Sequence, residues 1–155
     1  MTTETPLPPY EWDDAEIGDT RPPYDGYVDP DLVAKYVRIT GDANPALRPE
    51  AGGDGAPLAM LIHMAPSGRA DIMATKGFSP PVRPTPFARI ELELFEKIHQ
   101  GDVITTTASV VDKYERRGRK YLVWGVEGRN QSGRLVIRYR QHNVWEGSKS
   151  EDRTR

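Results

Sequence analysis

Asp42 and Asn44 are the residues of this 155-residue chain whose types and spacing best suit chemistry. They fall in Tyr36-Val37-Arg38-Ile39-Thr40-Gly41-Asp42-Ala43-Asn44-Pro45-Ala46, a stretch that ends a helix and delivers a carboxylate and an amide onto one tight loop. A carboxylate held there can take or give a proton, provided its partner lies within hydrogen-bond reach and its pKa suits the task. The same letters also have a plainer reading. Gly-Asp-x-Asn-Pro is a helix stop built from Asx turns, in which the side chains serve only the backbone.

The elements on either side decide how firmly such a loop is held. Asp29-Pro30 is a helix start, with a capping carboxylate followed by proline in the first turn. Leu32, Val33, Tyr36, Val37 and Ile39 recur at helical spacing, which predicts a helix from about Asp31 to Thr40. Gly41 suits the left-handed residue that closes it, and Pro45 disfavours the helical region for Asn44. Arg48 to Gly55 is glycine-rich, charged and without period, so it reads as a surface excursion or a lid. From Pro57 to Lys76, the residues Leu58, Leu61, Ile62, Ala65, Ile72 and Met73 predict a largely buried helix. Pro66 should kink it or split it near Ala65. Gly77 ends the second piece, and Ser79-Pro80-Pro81 with Pro84 and Pro86 makes an extended connector.

Beyond the connector the period becomes two. Ile90, Leu92 and Leu94 alternate with Arg89, Glu91 and Glu93; Val103 to Tyr114, Tyr121 to Glu127 and Leu135 to Trp145 follow as strands. Turns fall at Gln100-Gly101-Asp102, Arg117-Gly118 and Asn130-Gln131-Ser132-Gly133. Hairpin-joined strands after a long helix predict an α+β domain, a curved antiparallel sheet around a long, kinked central helix. Tyr114, Tyr121, Trp124, Tyr139 and Trp145 would pack against that helix or a neighbouring subunit. Residues 1–25 read as a proline-rich arm anchored by Tyr10, Trp12 and Ile17, residues 26–146 as the domain, and residues 147–155 as a disordered polar tail.

Followed by Leu47, the stretch from Tyr36 to Ala46 resembles the hydratase motif of MaoC-like (R)-specific enoyl-CoA hydratases and dehydratases. That motif is an aromatic residue, a short spacer, Thr/Ser-Gly-Asp-x-Asn-Pro, an aliphatic residue and a histidine; Leu47 stands in the histidine's place. The resemblance covers roughly Trp12 to Trp145 and implies a single hotdog domain. It implies that Asp42 is the general acid/base that adds or removes water at the 2,3 double bond of an acyl thioester, carried on coenzyme A or a carrier protein, and that Asn44 orients the loop or the water. In this family a backbone N–H at the start of the buried helix binds the thioester oxygen. The corresponding segment, Ala56 to Leu61, makes Pro57, Ala59, Met60 and Leu61 candidate substrate-binding residues. Tyr36 and Gly41 are further ones, Tyr36 reading equally as core. His63 is the local candidate to replace the missing histidine, and reads equally as a core or interface residue. No redox or metal cofactor is implied. The expected assembly is a homodimer, or a heterodimer with another hotdog chain. Leu47 opens two alternatives: a degenerate acyl-thioester-binding subunit of a heteromeric hydratase, or a relative recruited to another dehydration in secondary metabolism.

Composition narrows the field further. With 37% hydrophobic and 28% charged residues, the chain is of the globular class and long enough for one core. A net charge of −2 carries no electrostatic footprint for nucleic acid. Arg116, Arg117, Arg119 and Lys120 bracket Gly118 as a solvated hairpin tip or a contact for a phosphate group. There are no cysteines, which excludes disulfides, thiolate metal sites and cysteine nucleophiles. His99 in a turn, His142 on the last strand and His63 lack metal-ligand spacing. No stretch has the length of a membrane span and no signal peptide is recognisable, so a cytoplasmic location is expected.

Overall fold

The computed structural model describes residues 6–146, and the polar tail expected at 147–155 lies outside the described residues. Five strands form one antiparallel sheet: β1 (Tyr24–Tyr27), β2 (Phe87–Leu94), β3 (Val103–Arg116), β4 (Arg119–Arg129) and β5 (Leu135–Val144), in the order β1-β3-β4-β5-β2. β3, β4 and β5 are a meander. Their first turn is Arg117-Gly118, both with positive φ (53° and 73°), the geometry that matches the twist of a two-residue hairpin. Four-residue β1 carries no alternation and was not foreseen; it crosses position 25 and pairs with β3.

The helical layer lies on the inner face of this sheet. α1 (Pro30–Thr40) starts at Asp29, whose side chain accepts the Asp31 N–H, and ends at Gly41, left-handed with φ 65°. The central segment is a 3₁₀ turn, Leu58–Met60, running into α2 (Leu61–Met64), and then α3 (Arg69–Thr75). It breaks at Ala65-Pro66-Ser67-Gly68, where Pro66 supplies no N–H. The hydroxyl of Tyr139 on β5 donates to the Ala65 carbonyl at 2.6 Å, so the sheet satisfies one acceptor freed by the break. Leu61, Ala65, Ile72 and Met73 are buried as expected, and Met64 is buried with them. Leu58 and Ile62 are not, Ile62 being 79% exposed: a 3₁₀ turn and a single α-turn do not keep the 3.6-residue period, and that face rolls away from the sheet. None of these helices is long and apolar enough to cross a membrane.

The core is sealed at one end by aromatic residues. Trp124 and Trp145 lie 5.7 Å apart, Tyr10 sits 6.5 and 6.3 Å from them, and Trp145 donates its indole N–H to the Tyr10 carbonyl. Tyr10 is thus a true anchor of the N-terminal segment. Ile17, expected beside it, is 66% exposed; Gly18 and Asp19 bond to Val110 on β3 and hold the backbone there without it. Tyr114 and Tyr121 do not pack against the helical layer: they stack on each other, 4.8 Å apart, on the outer face, where a bulge at Val111 that shifts the phase of β3 by one residue turns Tyr114.

Candidate active-site loop

The loop begins where α1 stops. The Thr40 hydroxyl bonds back to the Tyr36 carbonyl at 2.9 Å, so Thr40 closes the last turn through its side chain. Asp42 Oδ1 then accepts the Asn44 N–H at 2.9 Å, and Asn44 Oδ1 accepts the Ala46 N–H at 3.0 Å. Two successive Asx turns, followed by the 3₁₀ turn Pro45–Leu47, fix both side chains by their own backbone. Arg48 locks the turn from behind: its Nη2 and Nε donate to the Asp42 carbonyl at 2.6 and 3.2 Å. Asp42 Oδ2 has no hydrogen-bond partner among the described residues.

The excursion from Arg48 to Gly55 is folded back onto this loop. The N–H of Gly53 bonds to the Arg48 carbonyl and that of Gly55 to the Ala46 carbonyl. Gln100, from the turn before β3, donates to the carbonyls of Leu47 and Gly55 at 3.2 and 3.0 Å and staples the two arms together. Gly53 is required by close approach: a Cβ there would lie 2.1 Å from the Pro45 oxygen. The Gly52-Gly53 pair was the only sequence signal for this crossing, and nothing marked Gln100.

Leu47 is 6% exposed and lines recesses on both sides of the loop. The outer one, about 370 Å³, lies between the loop and α1 and includes Gly41 and Arg48. The inner one, about 210 Å³, is bounded by Asn44, Leu47, Ala56, Leu58, Met64 and Leu94 among others. Its walls are mostly apolar, with Asn44, Glu96 and Lys97 as the polar side chains. Leu58 and Ala59 begin the helical segment beside it, and no acceptor takes their N–H groups among the described residues. The remaining candidates are dispersed. Pro57 and Leu61 are buried, Met60 faces another recess, and Tyr36 is half-buried on α1. His63 is exposed and lines that other recess, about 380 Å³, with Tyr24, Asp25 and Tyr27, and the fold does not bring it to the Asp42 loop's recesses.

No family model and no curated protein matches the chain by sequence. Solved structures do match it in shape. The C-terminally truncated HadBC complex, a 3R-hydroxyacyl-ACP dehydratase from Mycobacterium tuberculosis, is 18% identical over 81% of this chain and 93% of its own, with a TM-score of 0.66. A MaoC-like dehydratase from Rhodospirillum rubrum is 18% identical over 88% of this chain and 96% of its own, TM-score 0.64. The R-hydratase PhaJ1 from Pseudomonas aeruginosa is 17% identical over 87% and 84%, TM-score 0.60. The chain has the hotdog fold. At such identities the likeness establishes the fold alone, and within this hotdog domain the Asp42 loop lies between α1 and the start of the central segment.

Proposed function

We propose that this hotdog chain is a MaoC-like hydratase/dehydratase that adds or removes water at the 2,3 double bond of an acyl thioester, with Asp42 as general acid/base. The observation that carries the reading is the state of the loop: one Asp42 carboxylate oxygen is pinned by the Asn44 N–H, the other is unpartnered among the described residues, and Asn44, Ala46 and Leu47, though not Asp42 itself, line a largely apolar recess of a size for an acyl group. The dehydratase and hydratase folds among the structural neighbours support the same class of reaction. In the hydration direction, Oδ2 of Asp42 takes a proton from water as the water oxygen bonds to C3 and the π electrons move toward the thioester oxygen. The carboxyl group so formed returns a proton to C2, so H and OH add across the bond and the carboxylate is restored. The N–H groups of Leu58 and Ala59 are the donors available to the oxygen that gains charge, a contribution of about 10²-fold per donor in other enzymes. The chemistry needs neither a redox nor a metal cofactor.

Mixing the purified protein with short and medium trans-2-enoyl-CoA, and following loss of the conjugated enoyl absorbance, tests this. Hydration is expected, and Asp42→Asn is expected to abolish it with the folding transition unchanged. Turnover that survives the substitution removes Asp42 from the mechanism.

Leu47 favours a second reading. A buried leucine at the motif histidine's place can move no proton, which suits an acyl-thioester-binding subunit paired with a hotdog chain that carries the histidine. HadBC is a complex of this kind of fold. Under this reading the protein alone binds the thioester without hydrating it. Either way we propose association through β2: this edge strand exposes Phe87, Ile90 and Leu94, next to the exposed Leu58 and Ile62 of the central segment.

A further inference from the structure

The break in the central segment is bracketed by two arginines that no acid answers. Arg21 is 5% exposed; it donates to the carbonyls of Pro22 and Pro66, each at 2.9 Å, and its buried Nε has no partner. Arg69, the first residue of α3, is half-buried and reaches only the Thr85 hydroxyl, at a long 3.4 Å. Among the described residues neither guanidinium has a carboxylate within 4.0 Å. Among the described residues every other arginine that lacks such a partner is solvent-exposed, and Arg83 is fully answered by Glu11 in a two-pronged pair. Buried charges are normally paired, since an unpaired one forfeits its hydration for nothing.

Both arginines meet the break at Gly68: a Cβ there would come 2.0 Å from the Arg21 Nε, and Arg69 follows Gly68 directly in the chain. Both guanidiniums act on the buried Tyr139 phenol, opposing the upward pull of burial on its pKa, and burial in turn draws the Arg69 pKa down. Gly68 and Arg69 open onto a recess of about 290 Å³ whose other walls include Met73, Pro80, Pro81 and Trp145, with Thr85 at its rim. It shares no residue with either recess of the Asp42 loop, and no acidic side chain lines it.

We infer that this recess binds a small organic acid, its carboxylate on Arg69 and Thr85 beneath the field of Arg21 and its apolar body between Met73, the prolines and Trp145. A guanidinium fork and a hydroxyl match the two oxygens of a carboxylate. Compact inorganic anions would leave the apolar walls unfilled. The site is independent of the hydratase reading and stands or falls separately from it.

Titrating the full chain with benzoate and hexanoate, against benzamide, hexanamide and inorganic phosphate, tests the inference by calorimetry and by amide chemical-shift mapping. Expected is binding of an acid with shifts confined to Arg69, Ala70 and Thr85 and their neighbours, and about tenfold or greater weakening for the neutral amide. Arg69→Gln should lose the acid to a similar degree while Arg69→Lys keeps part of it, far-UV circular dichroism confirming that both fold. Mapping on the unaltered protein needs no variant. Absence of binding by either acid, shifts that fall on Asn44 and Leu47 instead, equal affinity for acid and amide, or binding of phosphate alone as an adventitious ion would each overturn the assignment.

Discussion

Leu47 concentrates the functional question into one side chain. Around it, Asp42 is pinned through one oxygen, Asn44 lines the inner recess, and the loop is braced by Arg48 and Gln100. What is missing is a second proton-transfer group, because His63 is turned to a different recess. Leu47→His places an imidazole on a position that lines both recesses of the loop. If Asp42 already hydrates enoyl thioesters alone, the added acid/base group should raise kcat by about 10²-fold, the low end of what a positioned proton-transfer residue contributes. The variant exchanges a buried aliphatic group for a polar one, at a cost of about 1–3 kcal/mol where no partner is found. A denaturant titration beside the kinetic assay separates the two effects. Unchanged kcat in a folded Leu47→His protein would mean that substrate does not approach this side of the loop.

Among the elements, the N-terminal segment depends on a polar knot as much as on its aromatic anchor. Tyr10 donates its hydroxyl to Asp19 Oδ2 at 2.7 Å, and Lys76 at the end of α3 reaches the same oxygen at 3.0 Å. Burial alone would raise the Asp19 pKa, but the hydrogen bonds from the Glu16 backbone, Tyr10 and Lys76 outweigh it, and the carboxyl is held below its ordinary 3.8. A carboxyl whose pKa is depressed by folding stabilises the protein above its unfolded pKa and loses that contribution as pH falls through the folded value. Stability should therefore fall as pH drops below about 4, and Asp19→Asn should flatten that part of the curve while lowering stability at neutral pH. Chemical denaturation between pH 7 and pH 3 gives both numbers, and parallel curves for the two proteins would remove Asp19 from the acid response. None of this knot was legible in the sequence, since its members lie 9 and 57 residues apart. The local elements were. Asp29, Pro30 and Gly41 bound α1 through short-range rules, and the turns at Gln100, Arg117 and Asn130 delimit the meander. Alternation also gave β3, but period two names two faces without saying where the phase slips. The bulge at Val111 puts Ala108 and Val110 inward yet Asp112 and Tyr114 outward, a change no single strand pattern contains. At the Asp42 loop the two Asx turns were readable for the same local reason, whereas the backbone pairing of Ala46 with Gly55 and the Gln100 staple are long-range.

For the molecule as a whole, the unanswered surface is the β2 edge. The meander strands β3, β4 and β5 bury their inner residues against the helical layer, but β2 leaves Ile90 and Leu94 exposed together with Phe87, and Phe95 follows at its end. The exposed Ile62 and Leu58 extend the strip onto the central segment, so a partner laid along β2 would cover both and continue the sheet. Such a partner would also bury the mouth of the inner recess, because Leu58 and Leu94 belong to its walls. If the inner recess takes the acyl group, association and acyl binding are coupled, because Leu58 and Leu94 would serve both. Phe87→Lys with Ile90→Lys puts two charges on this edge without touching the Asp42 loop, the walls of the inner recess or the Gln100 staple. The unaltered chain is expected to run as a dimer or larger by sedimentation velocity and the variant as a monomer at the same concentration, with about tenfold or weaker binding of a medium-chain acyl thioester. A variant that stays associated would move the interface elsewhere on the molecule. One that becomes monomeric yet binds the thioester as before would show that the inner recess is complete within a single chain.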